Sequence, residues 1–129
     1  MNNVRNKIYN MFLTRIIGKK GNLWDNELVP YDGTSSVVDT ENLPNISIMV
    51  NSYSDEQNST PANVTLNFEA SPDGENWTFC STITQNLPQG GESEAHIFET
   101  VGTKYIRLVR DDADTENDLY ITASLQAKP

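Results

Sequence analysis

Cysteine is nearly absent from this 129-residue chain: Cys80 stands alone, so no disulfide can close within it. Histidine is as scarce, with His96 the single one. One cysteine and one histidine cannot supply the three or four nitrogen and sulfur ligands of a zinc site. No run of about 18 apolar residues occurs, so no membrane-spanning helix is expected. The N-terminus lacks both an uninterrupted apolar segment and a small-residue cleavage site, so a chain made in a cytoplasm and kept reduced is expected. No G-x-S-x-G, P-loop or H-E-x-x-H motif is present, and neither catalysis nor a cofactor is expected. Cys80 lies in a strand-like run, where it is expected as a small buried thiol. His96 is expected at the surface.

Charge of one sign is missing from each part of the chain. Residues 1–21 hold Arg5, Lys7, Arg15, Lys19 and Lys20 and no acid, whereas the remainder holds four bases and all eighteen acids of a chain whose net charge is -9. That asymmetry describes a basic arm on an acidic body. The acidic body repels phosphate, which argues against nucleic acid as the main partner.

What is present is period-two alternation. Val4, Ile8, Phe12 and Ile16 recur every four residues, so the arm reads as a helical stripe or as an extended segment, ended by Gly18 and Gly21. Two placements fit it: docking on a partner surface, or a helix folded back on its own sheet. Residues 22–44 read as connecting chain, with a short strand in "SSVVDT". Beyond Pro44 come "NISIMVNSY", "NVTLNFEAS", "WTFCSTIT", "EAHIFET", "KYIRLVR" and "LYITASLQA", with turn chemistry between them. In "WTFCSTIT", the alternation places Trp77, Phe79, Ser81 and Ile83 on one face. Six or seven short strands without room for crossover helices predict an all-β, antiparallel β-sandwich, jelly-roll-like, over 35–129, with arm and linker over 1–34. Arg107 is expected to pair with one of the many acids. The acidic run "DDADTEND" lacks EF-hand spacing and reads as a solvated turn rather than a calcium site. Four Asn-x-Ser/Thr sequons, at Asn45, Asn58, Asn63 and Asn76, are expected by chance in a chain this rich in asparagine and threonine.

"SPDGENW" joins two of these strands, with Asp-Gly supplying the positive-φ position of a tight turn. Ser71, Asp73, Gly74 and Trp77 form an S-x-D-G-x-x-W pattern. About thirty residues later "KYIRLVR" forms a second, and "LYITASLQAKP" closes the domain. This combination resembles the discoidin-type (coagulation factor 5/8 C-like) jelly roll, and also short phage virion proteins, whose opening strands "SSVVDTENLPNISIMV" resembles. Discoidin domains are usually longer and often carry two cysteines, so the phage type is the better match.

That resemblance implies a capsid decoration, or cement, protein: a structural protein of the virion's capsid surface, made in the host cytoplasm, without enzymatic activity. Such proteins are homo-oligomeric, frequently trimeric, and bind the major capsid protein or other virion proteins. The arm residues expected to make the contact are Arg5, Lys7, Ile8, Phe12, Arg15, Ile16, Ile17, Lys19 and Lys20. A different class of function is a carbohydrate-binding or adhesion module of a tail or head fibre. It would gather Trp24, Tyr31, Tyr53 or Trp77 into a flat platform at one end of the sandwich.

Overall fold

The computed structural model describes residues 18–53, 62–87, 92–111 and 119–129. They form eight strands: β1 (Lys19–Val29), β2 (Val38–Asp39), β3 (Asn45–Tyr53), β4 (Ala62–Ser71), β5 (Thr78–Leu87), β6 (Glu92–Thr100), β7 (Tyr105–Arg110) and β8 (Leu119–Lys128). One sheet has the order β1-β8-β3-β6 and the other β2-β7-β4-β5. Every pairing is antiparallel. Strand β1 pairs with β8, β2 with β7, β3 with β6 and β4 with β5. The chain is therefore one long hairpin, doubled back on itself and rolled into two facing sheets. This is the jelly roll expected from the sequence.

Alternation builds the core. Ile46, Ile48 and Val50 of β3, Val64, Leu66 and Phe68 of β4, Ile106 and Leu108 of β7, and the odd-numbered residues Leu119 to Ala127 of β8 all point between the sheets and are buried. Two buried polar side chains tie the sheets together. Gln85 of β5 donates from Nε2 to the Ser93 carbonyl of β6 (3.0 Å), and its Oε1 accepts from Ser52 of β3 (2.8 Å). Arg110 at the end of β7 donates to the Val29 carbonyl at the end of β1 (2.6 Å). Burying such groups is tolerable because each has partners.

Three expectations need correction. The first part of the stretch 22–44, expected as connecting chain, is strand: β1 starts at Lys19 and runs along β8 to Val29, and the connecting chain begins only beyond it. Two register irregularities hide it. Leu23 and Trp24 are adjacent and both buried, and Asn26 adopts a positive φ of 51°, so no period of two survives in the sequence. The sandwich thus starts well before position 35. Second, a bulge opposite Phe68/Glu69 leaves Cys80 without a partner residue in the ladder. It reverses the parity of β5: Ser81 and Ile83 face inward, but Phe79 is 58% exposed. Third, Cys80 is itself exposed rather than buried.

Candidate binding surface

The Ser-x-Asp-Gly turn is the natural place to look for a loop site, and its polar groups are already used. Ser71 Oγ accepts from the Gly74 N–H (2.9 Å) and the Asp73 N–H (3.3 Å), and donates to Asp73 Oδ1 (2.9 Å). Asp73 Oδ1 in turn accepts from the N–H groups of Asn76 and Glu75, both at 2.8 Å. The Asn76 and Glu75 amides, then the Asn76 and Ser71 side chains, hold the Asp73 carboxyl well below the usual carboxylate range. Gly74 has a φ of 78°, and a Cβ there would stand 3.7 Å from the Tyr105 ring. The turn is a structural corner. Trp77, which follows it, lies against the Arg107 guanidinium (4.1 Å to the ring centroid), and Arg107 Nε is 2.8 Å from Glu69 Oε1. The expected acid partner of Arg107 is therefore Glu69, and one face of the indole is covered.

The aromatics expected to form a platform are dispersed. Trp24 is buried in the core, Tyr31 lies in the turn after β1, and Trp77 is on the outer face of the β2-β7-β4-β5 sheet. Tyr53, on the outer face of the other sheet, stacks on Tyr120 with ring centroids 5.2 Å apart and donates its hydroxyl to Asn26. No single surface gathers them.

Cys80 and His96 are not brought together either. His96 stands exposed on β6 with Nε2 3.7 Å from Glu94 Oε1, whereas Cys80 lies on β5 of the opposite sheet. Desolvation, then the Glu99 carboxylate, raises the Cys80 pKa, the reverse of what an attacking thiolate needs. Among the described residues no cluster of three or more His, Cys, Asp or Glu could hold a metal ion. The acidic run lies outside them from Asp112 to Asp118.

What remains is the outer face of the β1-β8-β3-β6 sheet. The side chains that point away from the core are mainly neutral hydrogen-bonding groups, such as Ser47, Asn51, Ser124 and Gln126. Set among them are Met49, 43% exposed, and Phe98, 77% exposed. Two shallow recesses mark this face. One lies between Phe98, Ser47 and Gln126, the other between Met49, His96 and Asn22. Sequence reasoning did not single out Phe98 or Met49. The signal was there for Phe98: it adjoins Ile97 in one strand, so one of the two had to face solvent.

Of the arm residues, Lys19 and Lys20 belong to β1, and Lys19 Nζ is 3.6 Å from Glu41 of the same chain. Arg5, Lys7, Ile8, Phe12, Arg15, Ile16 and Ile17 lie outside the described residues. Gly18, the first described residue, stands at one end of the open face, because Lys19 pairs with Ala127, which is level with Ile46 and Glu99.

No protein-family model matches the chain, and no curated protein sequence does. Solved structures share its fold. The K3 cleaved adhesin domain of Lys-gingipain from Porphyromonas gingivalis W83 aligns over 85% of this chain and 71% of its own length, at 13% identity and a TM-score of 0.55. The SPBc2 prophage-derived protein YomS aligns over 84% of this chain and 92% of its own, at 7% identity and a TM-score of 0.51. The PBSX exported protein XepA aligns over 86% of this chain at 14% identity and a TM-score of 0.50, and this chain spans 37% of it. The jelly roll is thus shared with prophage proteins and with a bacterial adhesin domain.

Proposed function

We propose that the protein is a non-catalytic component of a phage virion, a head decoration (cement) protein that binds the major capsid protein. Its sandwich sits on the capsid surface, and the basic segment ahead of β1 reaches across to the capsid or to a neighbouring copy, through Arg5, Lys7 and Arg15 together with Ile8, Phe12, Ile16 and Ile17. The observation that carries this reading is the fold shared with prophage-derived YomS over 84% of this chain and 92% of that one. It is supported by a packed interior whose sheet-to-sheet polar groups are internally paired. Such a body works through its surface. Binding would draw on buried apolar area, at about 25 cal/mol per Å² before ordering costs. Co-sedimentation of the protein with undecorated heads tests it. Stoichiometric, saturable binding is expected, and absence of binding to heads with binding to tails instead would overturn it.

A second reading, a carbohydrate-binding or adhesion module, draws on the neutral amide- and hydroxyl-lined outer face with Phe98 and Met49, and on the fold shared with the gingipain adhesin domain. A glycan array tests it: specific hits that a Phe98→Ala variant loses are expected, and an empty array removes the reading.

A further inference from the structure

Among the described residues the two sheets have four edge strands, and three of them are blunted. Strand β1 carries two register irregularities, β5 carries the bulge at Cys80, and β2 is two residues long. Bulges and shortness are ways of keeping an edge from pairing with foreign strands. Strand β6 has neither. It pairs with β3 over nine consecutive residues without a shift, and among the described residues it pairs with no other strand. The core also thins there. Ala95 and Ile97, which face inward, are only partly buried, while their β3 partners Val50 and Ile48 are fully buried.

The edge's charges choose the occupant. Glu92 and Glu94 project from its outer face, two residues apart and exposed. A second β6 laid antiparallel along the whole of this one would set Glu92 opposite Thr100 and Glu94 opposite Phe98, which offers neither carboxylate an opposite charge. A basic strand without acids would be attracted. The chain contains one such segment, residues 1–17, with Arg5, Lys7 and Arg15 and no acid. Read with a period of two, Arg5 and Lys7 fall on one face and Val4 and Ile8 on the other; beyond them Tyr9, Met11, Leu13 and Ile17 share the face of the bases. Residues 4–8 are thus the complement of the edge: bases toward Glu92 and Glu94, apolar residues toward Ala95 and Ile97.

We propose that the β6 edge receives residues 1–17 of a second copy of this chain as an added antiparallel strand. This rests on the reading of that segment as a docking arm. A second copy is the better donor on grounds of direction. Gly18 lies level with the Thr100 end of β6 but at the opposite margin of the sheet, three strand spacings or roughly 14 Å away. A segment running back from there along its own β6 would lie parallel to it, against the antiparallel order of every other pair. From a neighbouring copy the direction is free, and seventeen residues reach up to about 55 Å when extended.

Charge exchange in the full-length chain tests the proposal. The variants are Arg5→Glu with Lys7→Glu, Glu92→Lys with Glu94→Lys, and all four together, each checked for an unchanged thermal midpoint. Molar mass by light scattering is read across a concentration series without phage heads, alongside hydrogen exchange of the β6 amides. Mass and β6 protection should rise together with concentration in the wild type. Either pair of reversals should weaken association by about tenfold or more, and the fourfold exchange should restore it. Equal masses for all four proteins would overturn the proposal. So would β6 protection that depends on the arm charges in a monomer, which would place the segment on its own edge. Arm-dependent head binding alongside either of these results would leave the decoration reading standing and remove this inference alone.

Discussion

Ser71 and Asp73 show how a short polar motif can be specific and still say little about ligands. The Ser71 hydroxyl and both oxygens of the Asp73 carboxylate are occupied from within the turn, so the motif specifies a corner. Ser71→Ala removes two accepted bonds and one donated bond at a buried position. It is expected to cost about 1–2 kcal/mol, read as a shift of the denaturant midpoint. Asp73 gives a pH signature. Its carboxyl is depressed in the folded state, so its stabilising effect is present above the unfolded carboxylate pKa and is lost as the pH falls through the acid range. Wild type should therefore lose more stability than Asp73→Asn between pH 7 and pH 3, and equal losses would remove the turn's role. The Arg107–Glu69 pair was legible in the sequence only as an Arg opposite Ile106 and Leu108 amid many acids. Which acid it meets depends on the register of β4 against β7.

At the scale of elements, β3, β4, β7 and β8 were readable because each keeps strict alternation and buries one face. Strand β1 was not, because its two irregularities break the period, and the inward sides of Leu23 and Trp24 cannot be deduced from neighbours. The parity of β5 was misread for a related reason: a bulge adds one residue, and every side chain beyond it changes face. Alternation in β3 sets Met49 outward and the adjacent Ile97 and Phe98 send one of the two outward, but that Met49 and Phe98 share one surface follows from registers that a single sequence does not contain. Two substitutions probe how the elements are joined. Gly18 has a φ of 89°, and a Cβ there would run into the Ala127 carbonyl oxygen. Gly18→Ala should cost about 1–3 kcal/mol and expose the first residues of β1 to hydrogen exchange before the rest of the sheet. Gln85→Leu removes the polar link from β5 to Ser52 and Ser93, and takes from the buried Ser52 hydroxyl the acceptor it uses. A loss of about 1–3 kcal/mol is expected, with faster exchange concentrated in β6.

For the whole molecule, charge is the organising asymmetry. A segment rich in bases precedes a body rich in acids along the chain, and that charge distribution favours association between unlike surfaces. It also makes association sensitive to ionic strength, since exposed charges are screened beyond about 10 Å at 0.1 M salt. The jelly roll was legible from alternation, turn chemistry and the absence of crossover helices. The partner was not, because the same fold is found in an adhesin domain and in prophage proteins. The most direct test of the account is quantitative decoration of purified phage heads by the full-length chain and by a variant lacking residues 1–17, with circular dichroism and thermal melting confirming that the shortened body is folded. The account predicts saturable occupancy for the full-length protein and loss of binding for the folded truncation. Full occupancy by the truncation would contradict it.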